Sequence, residues 1–271
     1  MRRRVARAGL YISAIFFLLS PLAQALLISP SKLTIQIPPG SEKRFSIFLA
    51  NPQETDDIQV KIYPEDFLLK QDSSLEFLKA GSSRWSCAEW IRLEYTKVVL
   101  KAGEERRIYG IIKVPQEVSG GRYTLIMVEV ASPSAKEKIN LRTRVRYSIL
   151  VNVLVNPAQL IRKVQIVNME VLLQDERLEF VVSVKNTGNV HVVAKGEVRV
   201  RNKLGRVEAS SPLLAGGGYI FPEGIRDFRG VVSKNLPDGE YEAEAEIHYN
   251  EGELTRAKIN FSLSESELIK R

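Results

Sequence analysis

The stretch Ile139-Asn-Leu-Arg-Thr-Arg-Val-Arg-Tyr-Ser-Ile-Leu-Val-Asn-Val-Leu-Val155 decides how the chain is read. In an extended backbone successive side chains point to opposite faces, so Ile139, Leu141, Thr143, Val145 and Tyr147 share one face. Arg142, Arg144 and Arg146 share the other. From Ile149 onward the run becomes almost continuously apolar, the pattern expected where both faces of a strand are covered. Asn156-Pro157 ends it, because proline has no amide hydrogen to give to a ladder. The stretch is expected to be the last strand of a first β-sandwich, half edge and half core, leading directly into an interdomain hinge.

With 271 residues the chain has room for two domains of ordinary size, each with its own core. Residues 1–25 have the form of a signal peptide. Arg2, Arg3, Arg4 and Arg7 make a basic start, Leu10 to Leu22 is apolar, and Ala23-Gln24-Ala25 has the small-x-small pattern that a signal peptidase cuts. An uncleaved anchor is the alternative, but the apolar run is short of the about 20 residues that a span needs. Cleavage after Ala25 leaves no expected membrane span. The formal charge of +7 includes those four arginines, so the mature chain carries +3. That small excess gives no electrostatic footprint for nucleic acid. Cys87 has no second cysteine in the chain to pair with, so each sandwich must be held by its core, with a buried or partly buried free thiol expected and an intermolecular bridge as the alternative.

The rest of the mature chain is patterned as all-β. Leu33, Ile35 and Ile37 alternate in a first strand, Phe45, Ile47 and Leu49 in a second, and Ile58 to Tyr63 in a third that is expected to stop at Pro64. Residues 68–89 are expected to form a long exposed connection, and Ile91 to Leu100 a single strand. Arg107 to Val114 and Thr124 to Val130 complete about seven strands in about 130 residues, the spacing of an immunoglobulin-like sandwich. A second sandwich is expected from 156 to 263, after a first over 26–155. Its clearest strand is Glu240 to Tyr249, with Tyr241, Ala243, Ala245, Ile247 and Tyr249 inward and Glu242, Glu244, Glu246 and His248 outward. Residues 264–271 read as a polar tail. Gly121-Arg122-Tyr123 and Gly239-Glu240-Tyr241 each place a tyrosine just after a turn, where sandwiches carry a tyrosine corner.

No catalytic constellation emerges. His191 and His248 fall on separate strands without cysteine or paired carboxylate at ligand spacing, no serine lies in a Gly-x-Ser-x-Gly elbow, and Cys87 lacks a histidine partner. Gly216-Gly217-Gly218 lacks the Gly-Lys-Ser/Thr of a phosphate loop and is expected to be a turn. A non-enzymatic protein without metal or cofactor is expected.

Ile28-Ser-Pro-Ser-Lys-Leu-Thr-Ile35, Phe45-Ser-Ile-Phe-Leu-Ala-Asn-Pro52, Ile91 to Val114 with its Leu100-Lys-Ala-Gly103-Glu turn, Arg122 to Val130 and the strand from Ile139 follow one another in a familiar order. In that order they resemble the N-terminal domain of periplasmic pilus-assembly chaperones, over roughly half the chain. The resemblance implies an exported protein that binds a pilin-like subunit by lending it a β-strand. In that family two cationic residues grip the subunit's terminal carboxylate; by position these are Lys32 and Arg146. Apolar residues of the last strand complete the subunit's sheet, here Ile139, Leu141 and Val145. The chain departs from the pattern in having lysine where the family has arginine and arginine where it has lysine, which rearranges bidentate geometry. Thr143 also interrupts the apolar row. The second half, with Val182 to Val190 and Leu236 to Tyr241, looks like a generic cell-surface sandwich. A similar pairing occurs in WxL-interacting, peptidoglycan-binding surface proteins of Gram-positive bacteria, so the alternative partner is cell-wall glycan or another envelope protein. Those proteins carry a C-terminal membrane helix, which this sequence does not show.

Overall fold

The computed structural model describes residues 26–131, 144–174, 177–233, 236–264 and 267–270. The signal-like segment 1–25 and the expected strand start at Ile139 and Leu141 lie outside the described residues. Two β-sandwiches follow one another along the chain, as the alternation requires.

The first contains β1 (Leu27–Ser29), β2 (Lys32–Ile37), β3 (Glu42–Ala50), β4 (Ile58–Leu69), β5 (Leu75–Leu78), β6 (Ile91–Leu93), β7 (Lys97–Leu100), β8 (Glu105–Lys113), β9 (Gly120–Ala131) and β10 (Arg144–Val155). One sheet has the order β1-β3-β8-β6 and the other β2-β10-β9-β4-β5, with β7 also on β4. Between them Ile47, Leu49, Ile62, Leu100, Ile108, Ile112, Val151 and Val153 are buried in one apolar cluster. The second sandwich contains β11 (Val164–Gln174), β12 (Arg177–Asn186), β13 (Val192–Asn202), β14 (Val207–Leu213), β15 (Tyr219–Ile220), β16 (Ile225–Ser233), β17 (Gly239–Tyr249), β18 (Glu253–Ser264) and β19 (Glu267–Lys270). Its sheets run β11-β12-β16 and β14-β13-β17-β18-β19, with β15 on β13. The inward face of β17 is the expected one: Tyr241, Ala243, Ala245, Ile247 and Tyr249 all join the second core.

Four local expectations are corrected. β4 does not stop at Pro64 but runs on to Leu69. The amide of Ile62 points to Thr96 beside β7, so two residues later the nitrogen of Pro64 points the same way, beyond the end of β7 and before β5 begins. No donor is needed in that gap, which is where a strand tolerates proline. The connection 68–89 contains β5 and is pinned by a buried carboxylate: Asp66 accepts from Ser83 N (3.1 Å), Ser86 Oγ (2.8 Å) and Thr124 Oγ1 (3.2 Å). Ile91 to Leu100 is two strands, β6 on β8 and β7 on β4, because the exposed Glu94-Tyr95-Thr96 carries the chain between sheets. The expected polar tail contains β19, whose Leu268 pairs opposite Leu263; Leu268 and Ile269 supply a short apolar run there.

The two tyrosines at strand starts have different fates. Tyr241 makes the corner, its hydroxyl donating to the carbonyl of Pro237 at 2.6 Å. Tyr123 reaches across to the other sandwich. The backbone N–H of His191 donates to its hydroxyl at 2.6 Å, and His191 Nδ1 lies 3.2 Å from the same oxygen. Phe221 packs edge-on against both Tyr123 and Phe67, with ring centres 4.7 and 5.1 Å apart. A second point of attachment lies at the turn after β4. There Arg226 donates to Lys70 O (2.6 Å) and Ser73 Oγ (2.7 Å), and Asp227 N donates to Gln71 O. Two separate attachments hold one sandwich on the other at the proposed hinge, Asn156-Pro157.

Burial at this junction pushes the His191 imidazole down from 6.5 to about 4, with Arg162 and Lys32 adding repulsion. A histidine that resists protonation in the folded state stabilises the fold fully above its ordinary value. That stability is lost as pH falls from 6.5 towards 4, by roughly 3 kcal/mol in all. Denaturant titrations between pH 7 and pH 4 are expected to show a smaller fall for His191→Phe than for the wild-type chain. Identical pH curves for the two would show that His191 is not the group responsible.

Candidate strand-binding site

β10 has two halves. Along its whole length it pairs antiparallel with β9, from Arg144 opposite Ala131 to Val155 opposite Gly120. On its other side β2 pairs with it in parallel over part of that length, from Lys32 opposite Leu150 to Ile37 opposite Val155. Among the described residues no strand lies beside Arg144 to Ile149 on that side. The N–H of Leu150 donates to Ser31 O and that of Asn156 to Ile37 O, each at 3.2 Å. Even-numbered residues of β10 therefore turn their backbone groups toward β2. By the same alternation Arg146 and Ser148 present N–H and C=O to the open margin.

Side chains alternate across that margin. Tyr147 packs partly into the core, whereas Val145, near the end of the sandwich, remains 44% exposed. On the opposite face Arg146 pairs with Glu65 of β4 and lies over the Phe77 ring of β5, 4.8 Å from its centre. Nearby, Tyr63 donates to Glu129 Oε2 at 3.0 Å.

Lys32 marks the end of the margin, as the first residue of β2. Its ammonium donates to the Tyr219 hydroxyl at 3.1 Å and sits 5.8 Å from the centre of that ring. Tyr219 stacks on His191, ring centres 5.6 Å apart, and His191 meets Tyr123. An aromatic wall thus rises from the second sandwich beside the lysine at which β2 begins.

The structure does not bring Lys32 and Arg146 together. Lys32 is level with Leu150, four residues beyond Arg146, which at about 3.3 Å per residue is about 13 Å along the strand. Each has its own partner on a different element. Val145 lies on the margin, and Ile139 and Leu141 fall outside the described residues. Sequence reasoning missed Tyr219, which is 187 positions from Lys32 with nothing local to link them. Cys87 is buried and free, and burial raises its thiol, an inert environment for a nucleophile. Among the described residues no cluster of three or more His, Cys, Asp or Glu is arranged to hold a metal.

The Arg146–Glu65 pair is partly exposed, 34% and 22% for the two side chains, and such pairs contribute about 1 kcal/mol or less. Arg146→Met is therefore expected to shift the unfolding free energy by less than about 1 kcal/mol. A loss of several kcal/mol in chemical denaturation would mean that the pair holds the sheet rather than decorating it.

No family model and no curated protein matches the chain. Solved structures do. A chain of a chaperone–tip adhesin complex described as vital for synergistic activation of CFA/I fimbriae biogenesis is 13% identical, with a TM-score of 0.49, over 87% of this chain and 98% of its own. The class 5 fimbriae chaperone CfaA is 13% identical with a TM-score of 0.46, over 86% and 98%. The E. coli chaperone DraB is 16% identical with a TM-score of 0.41, over 86% and 95%.

Proposed function

We propose that this protein is an exported, non-enzymatic chaperone that caps a pilin-like subunit by lending it the open half of β10. The observation that carries this reading is the late start of β2, level with Leu150 rather than with the start of β10. Among the described residues it leaves the outward backbone donors and acceptors of Arg146 and Ser148 without a strand partner, beside a lysine. An exposed edge of this kind templates another backbone unless it is blunted, and strand addition draws its affinity from main-chain hydrogen bonds.

Geometry favours one direction for the guest. A strand lying in line with β2 and parallel to β10 would end beside Ser31 and Lys32, so its terminal carboxylate would meet the ammonium. An antiparallel guest would bring its terminal ammonium there and be repelled. Lys32 is thus the carboxylate anchor in this account. Arg146 flanks the middle of the guest rather than its end, and Val145 supplies an apolar contact. Residues 1–25 direct export and are removed, and the envelope space beyond the inner membrane is where the guest is met. The boundary between the two sandwiches lies at Asn156-Pro157.

A photo-crosslinking residue at Ser148 tests the proposal in the native envelope, with Leu204 as control because it is an exposed apolar residue at the far end of the second sandwich. Ser148 is expected to trap a discrete exported subunit and Leu204 is not. Lys32→Glu is expected to reduce that product at least tenfold and Arg146→Glu by less. Equal trapping at both positions, or none at Ser148, would remove the margin as the binding site.

A further inference from the structure

Three charged side chains are buried among the described residues: Asp66, Glu246 and Arg226. Asp66 accepts the three hydrogen bonds described above. Glu246 is held by Arg256 Nε (2.7 Å) and His248 Nε2 (2.6 Å). Arg226 of β16, 3% exposed, is treated differently. Its hydrogen bonds go to Lys70 O, Ser73 Oγ and Ala215 O, none of them charged, and its Nε has no acceptor. A buried guanidinium is ordinarily matched by an anion, because burial without one is costly.

Arg226 lines a cavity of about 270 Å³ between the two sandwiches. Its other walls are mostly apolar: Phe67 and Leu69 of β4, Trp85 of the loop after β5, and Phe221 of the second sandwich. The rings are already in contact, Phe221 lying edge-on to Phe67 and Tyr123, while Arg84 and Arg122 lie over Trp85, 5.4 and 5.0 Å from its centre. Arg84 and Glu223 also line the cavity, and they neutralise each other in an exposed ion pair of 2.7 Å. The charge left over in the lining is that of Arg226. This is not the margin of β10: β4 lies three strands from β2, about 14 Å across the sheet from Lys32.

We propose that this cavity binds a small carboxylic acid with an apolar, ring-bearing body, its ring among Phe67, Trp85 and Phe221 and its carboxylate held by Arg226. Size limits the ligand: a dry cavity of roughly 150 Å³ holds one benzene, so 270 Å³ takes a ring with a short chain or two fused rings. Charge selects an acid, since an amine would meet Arg226 unpaired. Enclosure by both sandwiches selects a small molecule rather than a protein face. A ligand seated there touches both sandwiches at once and stabilises their docking by mass action.

The test titrates the full mature chain with 3-phenylpropionate, its amide 3-phenylpropanamide and 3-phenylpropylamine, by calorimetry and by the indole N–H resonances of Trp85 and Trp90. The acid is expected to bind at least tenfold more tightly than the amide, the strength of a charge-assisted hydrogen bond, and the amine not at all. Trp85 is expected to shift on binding and Trp90, outside the lining, to stay. Arg226→Met keeps the apolar stem and is expected to lose at least tenfold for the acid and less than twofold for the amide. Glu223→Gln removes the opposing charge from an exposed pair that adds little to stability, so the acid is expected to bind several-fold more tightly at low salt and the amide as before. Equal affinity for acid and amide, or acid binding that leaves Trp85 unmoved, would overturn the proposal. So would a folded Arg226→Met that binds the acid as wild type does. If Arg226→Met fails to fold, Glu223→Gln decides, and an unchanged affinity for the acid overturns the site.

Discussion

The place where β2 begins governs what this molecule presents to its surroundings. Upstream of Lys32 the chain leaves β10 through Ser31 and Pro30 and crosses to the other sheet, where β1 pairs with β3 from Leu27 opposite Ala50. Proline has no N–H with which to prolong the ladder. Among the described residues, half of β10 is thereby left with one paired side. Most sheet edges are shortened, bulged or charged so that nothing adds to them. Here the charge nearest the margin, Arg146, is drawn away across the sheet to Glu65 and Phe77, which leaves the backbone open beside it.

The second sandwich gives that margin a definite end. Its Tyr219 holds Lys32, its His191 caps Tyr123, and Arg226 clamps the turn after β4. None of these contacts is large, but they are spread over two separate points, so the wall of rings and the floor of strands keep one relative position. A fixed corner lets a single ammonium read the direction of an incoming strand. A chain free to swing at Asn156-Pro157 would place that charge anywhere.

Much of the architecture was legible in the sequence, because period-two alternation with buried faces leaves little choice of class. The contrast between the arginine row and the apolar run from Ile149 separates the edge half of β10 from its core half. Tyr241 was equally readable, since a corner is a local device. Pro64 misled, because a proline stops a strand only where a donor is needed, and that depends on where β7 ends. Tyr123 misled for a related reason: its local pattern matches that of Tyr241, but its partner belongs to the other sandwich. The pairing of Lys32 with Arg146 followed from resemblance, and register separates the two. No periodicity could have joined Lys32 to Tyr219, a contact set by how two finished sandwiches dock.

Amide hydrogen exchange, read residue by residue on the free protein and on its complex with a subunit, tests the central claim most directly. The account predicts that Arg146 and Ser148 exchange rapidly when the protein is alone and become strongly protected when the guest is bound. Leu150, already donating to Ser31, stays slow in both. Protection of Arg146 and Ser148 in the free protein would show that the chain covers its own margin. That result would contradict strand lending.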